Sequence, residues 1–151
     1  METVMISACL VGDKVRYDGK GKYNPLVKEI LTKYELLPLC PEVLGGLSIP
    51  RDKAEIKNDK VITYKNKDVS KEYNKGAHAC INPLEFKHVK KAILQDRSPA
   101  CGVHKIHNGK FNDELIDGQG ILTRLLIKRG IEVYTIEEFY EKFIKKNEEE
   151  N

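Results

Sequence analysis

Cys9, Cys40 and Cys101 stand at or just past the end of short apolar runs, in the stretches SACLVG, CPEVLGG and RSPACG. A thiolate is a soft ligand suited to zinc or an iron–sulfur cluster, and at a lowered pKa it is a nucleophile. Taken singly, a free cysteine is more often a small buried apolar residue. The neighbours change that reading. Ser7 lies two residues before Cys9, Glu42 two after Cys40, and Ser98 three before Cys101. Pro99 stiffens the last turn and biases Ser98 toward an extended backbone. A carboxylate and hydroxyls beside a metal position can activate water, deliver a proton or bind a reacting group. Alone, Glu42 reads as a loop carboxylate and Ser98 as a turn hydroxyl.

The arginines add an independent hint. Of 26 basic residues five are arginine, and Arg16, Arg51 and Arg97 lie in the segments flanking the three cysteines. A guanidinium fork holds carboxylates and carbonyls bidentately, where lysine is a point charge. The loop VRYDGKGKYN offers Asp18, Lys22 and Asn24 as ligand contacts. His104, three residues after Cys101, is a further candidate for lining the site, although a loop histidine is more often solvated. DGQG at 117–120 reads as a helix start with backbone donors for an anion.

The elements that must position these groups follow from periodicity. Strands are expected at Val4–Ala8, Leu36–Leu39, Lys91–Gln95 and Ile131–Tyr134. Helices are expected from Pro25 to about Tyr34, from Asp68 through Leu84, and from Gly118 to Lys128. A last helix follows the capping box Thr135 with Glu138. Ala54–Tyr64 reads as a hairpin turning at Asn58-Asp59, and KIHNGKFND as a second turning at Asn108-Gly109. This alternation predicts an α/β fold, Rossmann-like, with an open, mostly parallel four-stranded sheet covered by helices on both faces and one or two small hairpins. The carboxyl ends of parallel strands share one rim, where ligands bind. The three cysteines therefore converge. Cys80 falls on the apolar stripe Val69, Tyr73, Ala77, Cys80 and Leu84, and belongs to the core. Three thiols leave one metal position open, which favours chemistry over a structural zinc with four protein ligands.

With 151 residues, 40% hydrophobic and 32% charged, the chain fits a single ordinary globular domain at 1–145 with a solvated tail at 146–151. The net charge of +3 is dispersed, which argues against nucleic acid. No apolar run is long enough for a membrane span, and the N-terminus lacks a signal-peptide pattern. A cytoplasmic protein is expected, its oligomeric state left open. No GxGxxG or GxxxxGK[ST] occurs.

SACLVGDKVRYDGKGKYN, CPEVLGGLSIPRDKAEI, the DVS…KGA helix, SPACG and GQGILTRLLIKRGIEVY resemble, in order, the thiouracil desulfidase family. The resemblance implies that Cys9, Cys40 and Cys101 hold a [4Fe–4S] cluster whose fourth iron lacks a protein ligand. That iron takes the sulfur of a small thiolated nucleobase such as 2- or 4-thiouracil as a Lewis acid. The C–S bond is hydrolysed without redox change, with Glu42 as acid–base carboxylate and Ser98 as assisting hydroxyl. Substrate contacts are expected from Ser7, Arg16, Asp18, Arg51, Arg97 and His104. The family usually reads SPSCG, where this chain has Ala100, and tyrosine then aspartate where it has His107 and Asn108. The rivals from other classes are a non-catalytic iron–sulfur or zinc module, and a metal-free cysteine nucleophile or sulfur-transfer enzyme.

Overall fold

The computed structural model describes residues 1–145, so the tail expected at 146–151 lies outside the described residues. In chain order the elements are β1 (Glu2–Ser7), a 3-10 turn (Ala8–Val11), α1 (Leu26–Ile30), β2 (Tyr34–Leu39) and α2 (Pro41–Leu44). Next come β3 (Ala54–Lys57), β4 (Lys60–Thr63), α3 (Ser70–Ala79), α4 (Ile81–Phe86) and β5 (Lys91–Ile93). The chain continues with β6 (Lys105–His107), β7 (Leu115–Asp117), α5 (Ile121–Lys128), β8 (Glu132–Tyr134), α6 (Ile136–Phe139) and a π-helical turn at Tyr140–Lys145.

Strand alternation fixes the layers. Val4 and Ile6 of β1 face one way and Met5 the other, all fully buried, as a period-2 strand covered on both faces requires. Met5 and Ala92 pack with Tyr73, Ala77, Leu84, Leu122 and Leu126 of α3, α4 and α5. Val4, Ile6 and Ile93 pack with Val27 and Ile30 of α1 and with Ile136, Phe139 and Ile144 at the C-terminal end. The four-stranded sheet runs β2-β1-β5-β8, with every pairing parallel. Pro38 pairs opposite Ile6, and it is tolerated because β2 is an edge strand. The fold class read from the sequence stands. Among the described residues no helix is long and apolar enough to cross a membrane.

Several boundaries differ, each for a physical reason. The helix expected through Tyr34 stops at Ile30, and Tyr34 opens β2 instead. Its ring meets Phe139 edge-on at 5.1 Å, so it joins the same core as Ile30 from a strand, and a spacing of four conceals the change of element. The hairpin at Asn58-Asp59 forms as expected, with φ of 51° and 61°, the left-handed pair a tight two-residue turn needs. The second hairpin does not turn at Asn108-Gly109. Its connection spans 108–114, because the buried carboxylate of Glu55 accepts the Gly109 and Phe111 N–H groups at 3.0 and 3.1 Å and holds the loop open.

Two glycines clasp α2 to α3. A Cβ on Gly76 would collide with the Pro41 carbonyl oxygen, and one on Gly45 with that of Glu72. The backbones of the two helices therefore touch directly, which only glycine permits.

Candidate active site

The strand order reverses at β1: β2 lies on one side and β5 on the other. Such a reversal opens a crevice at the carboxyl edge of the sheet. Cys9 sits there in the 3-10 turn after β1, and Cys40 immediately after β2. Cys101 is reached by the RSPACG turn after β5. All three line one cavity of about 150 Å³, together with Glu42, Ser98 and Ser7. Cys80 is fully buried in the core, as its stripe predicted.

The RSPACG turn is tied at both ends. The Ser98 Oγ accepts the Cys101 N–H at 2.7 Å, so the turn-hydroxyl reading is met and the hydroxyl proton stays available to donate. The carbonyls of Pro99, Ala100 and Gly102 accept N–H groups of Ile121, Leu122 and Gly120, each at 2.9 Å. The cysteine loop thus caps the N-terminus of α5. Gly120 is required there, because a Cβ would strike the Ala100 carbonyl group. This overturns the anion site expected at DGQG: residues 115–117 form β7, and the N–H groups of Gly120, Ile121 and Leu122 serve the cysteine loop.

Ser7 ties the two central strands. Its Oγ accepts the Gln95 N–H at 2.9 Å, and its hydroxyl hydrogen-bonds Cys101. Cys40 precedes α2, whose first turn carries Glu42. Glu42 Oε2 accepts the Tyr73 hydroxyl at 2.6 Å and the Arg51 Nε–H at 3.4 Å. Arg51 also donates to the carbonyls of Val15, at 2.8 Å, and Ser48, at 3.2 Å. Its side chain is therefore committed to holding Glu42 and the 12–24 loop, although it borders the cavity. Burial, then the charge of Glu42 and the hydrogen bond to it, push the Tyr73 phenol far up, so it remains a donor.

The other expected contacts divide. Arg16 and Arg97 line the cavity, whereas Asp18 and His104 do not. Asp18 lies 3.9 Å from Arg16 and accepts the Lys20 N–H. His104 turns away to Glu138 at 3.0 Å. Lys22 and Asn24 also stay off the wall, with Asn24 accepting the Leu26 N–H at the start of α1.

The thiols electrostatically sense one another. Burial first, then Cys40, pushes Cys9 up to about 11, with Arg16 opposing. Burial raises Cys40 against a hydrogen bond from Val43, and burial raises Cys101 well above the usual value against the one from Ser7. At neutral pH the three are thiols, which are poor nucleophiles. A metal that binds them displaces their protons.

The family model described as 2-thiouracil desulfurase matches residues 4–138. The chain belongs to the 2-thiouracil desulfurase family. The uncharacterized protein YbbK of Bacillus subtilis (strain 168) is 31% identical over 140 residues, spanning 86% of this chain and 93% of its own. The solved structure of the [4Fe-4S]-dependent thiouracil desulfidase TudS matches with a TM-score of 0.88 and 33% identity over the whole of both chains.

As a 2-thiouracil desulfurase family member the protein is an enzyme, and two residues that support its cavity escaped the sequence reading of the site. The helical stripe places Tyr73 in the core. Periodicity sees its ring, which is 3% exposed, and not the hydroxyl that reaches Glu42. Asp96 directly precedes RSPACG. Its Oδ1 accepts the N–H groups of Arg97, Val103, His104 and Lys105 at 2.8–3.3 Å, drawing the cysteine turn closed.

Partial burial raises the Asp96 pKa, but these backbone bonds outweigh it and leave the carboxyl below its usual value of 3.8. The folded form therefore binds its proton less tightly than the unfolded chain. The stabilisation is complete above that value and lost as pH falls through the folded one. Asp96→Asn is expected to lower stability by about 1–2 kcal/mol at neutral pH. Melting curves on acidification should show the gap from wild type closing below pH 3.8. A gap that persists at low pH would refute the charge-based role.

Proposed function

We propose that the protein is a [4Fe–4S]-dependent desulfidase that hydrolyses the C–S bond of a thiolated pyrimidine of the 2- or 4-thiouracil type. The single observation that carries this reading is the convergence of Cys9, Cys40 and Cys101 on one cavity beside Glu42 and Ser98. Residues 1–145 serve as one cluster-binding catalytic unit. The donor set fits the cofactor: three soft ligands come from three separate strand ends, as one thiolate per iron requires. Three thiolates without a fourth protein ligand favour a cluster with an open iron over a structural zinc, which takes four protein ligands.

When bound, the cluster supplies an iron without a protein ligand, a Lewis acid for the substrate sulfur. The chain's own residues do the rest. Tyr73 and Arg51 hold Oε2 of Glu42, which leaves Oε1 to take a proton from the attacking water and return it to the departing sulfur. Ser98, its oxygen already accepting the Cys101 N–H, donates its proton to a heteroatom of the ring. Arg16 and Arg97 offset negative charge at the rim. Thiouracil and water become uracil and hydrogen sulfide, with no change of oxidation state.

The test is to incubate the anaerobically reconstituted protein with 2-thiouracil in ¹⁸O-labelled water. Equimolar uracil and sulfide, with the label in uracil, are expected without an added electron donor. Turnover that requires a reductant, or product without label, would sink the hydrolytic reading.

A further inference from the structure

Behind the part of the cavity wall formed by His107 lies a buried carboxylate only half used. Glu55 is 1% exposed, and its hydrogen bonds from the Gly109 and Phe111 N–H groups both go to Oε1. Its Oε2 is buried without a hydrogen-bond partner among the described residues, and so is Nδ1 of His107. These two atoms lie 3.9 Å apart, a gap that a small rotation of the ring or one bridging water closes. Two facing orphans are chemically complementary: a neutral imidazole has one N–H, and an unpaired carboxylate oxygen wants a donor. His107 lines the cavity, whereas Glu55 does not reach it.

We propose that Glu55 fixes the tautomer of His107, with the proton on Nδ1, so that Nε2 faces the cavity as an acceptor for a ring N–H of the substrate. Which nitrogen carries the proton is set by the partner of the other. His107 is then a specificity residue and Glu55 a positioning residue acting through it. This inference rests on the cavity being a pyrimidine site. It names the feature of the ring that is read: an unsubstituted N–H. A site that buries an acceptor rejects an analogue lacking the donor, because the acceptor is left unpaired.

Glu55→Gln separates this role from that of a loop support. The glutamine carbonyl can still accept the Gly109 and Phe111 N–H groups, but its NH₂ now faces His107. The imidazole must then accept at Nδ1 and present Nε2–H to the cavity.

The experiment is equilibrium calorimetry of uracil, 1-methyluracil and 3-methyluracil with the reconstituted wild type, His107→Ala and Glu55→Gln, together with ¹⁵N NMR of the imidazoles. Wild type is expected to show the Nδ1–H tautomer at His107 and to bind one methyl isomer at least about tenfold more weakly than uracil. Both variants should bring that ratio to within about twofold, and Glu55→Gln should switch the tautomer with the fold intact. An unchanged ratio in the variants, or no measurable uracil binding to wild type, overturns the inference. If the ratio behaves as expected while wild type releases no sulfide from thiouracil, the desulfidase reading fails and His107 keeps its role.

Discussion

Cys9→Ala, Cys40→Ala and Cys101→Ala each lose the iron and acid-labile sulfide that wild type acquires on anaerobic reconstitution, about four of each per chain for a [4Fe–4S] centre. Cys80→Ala retains them. The contrast follows from position: three thiols border the crevice, and the fourth is sealed in the core against α3 and α4. Sulfide release from 2-thiouracil falls to background in the first three variants and survives in the fourth, which melts at a lower temperature for its lost packing. Iron retained by Cys101→Ala would contradict the ligand assignment. Activity lost in only one of the three variants, with no iron in any protein, would instead favour a cysteine nucleophile.

Glu42→Gln separates chemistry from cluster binding. The substituted side chain keeps an oxygen for the Tyr73 hydroxyl or for Arg51, so α2 and Cys40 stay in place and iron content is unchanged. Removal of a general acid–base group costs roughly a hundred- to ten-thousandfold in kcat, and that loss is expected in single-turnover sulfide release. Tyr73→Phe removes the 2.6 Å hydrogen bond that orients the carboxylate and is expected to cost less, about tenfold. Full activity in Glu42→Gln would remove the carboxylate from the mechanism. A protein that only stores or delivers a cluster would give that result.

The site was legible where strand ends announce it. Cys9, Cys40 and Cys101 each follow an apolar run, and parallel strands leave their carboxyl ends on one rim, so three distant residues converge by topology alone. Glu42 and Ser98 came with them as close neighbours in sequence. What escaped depends on groups with no shared period. Asp96 acts on N–H groups from position 97 to 105, through loop geometry that no spacing encodes. Tyr73 carries an apolar body and a polar tip, and its place on a helical stripe reports only the body. Asp18 and His104 lie near the cysteines along the chain, but Arg16, two residues away, and Glu138, on the last helix, claim them. The helix read from DGQG forms a few residues later, at Ile121–Lys128, but its anion site fails because two glycines and polar residues resemble an open start, while the cysteine loop docked from elsewhere takes the first N–H groups.

The clasp of Gly45 and Gly76 limits which parts of the cavity can be redesigned. A contact between backbones leaves no side chain to be traded for another, so the wall bearing Cys40 and Glu42 tolerates no drift at either glycine. Val15, Arg16, Tyr17 and His107 reach the same cavity from the 12–24 loop and the second hairpin, outside the four-stranded sheet. New substrates are therefore to be sought by randomising those residues, with positions 40–45 and 72–76 left untouched in any library.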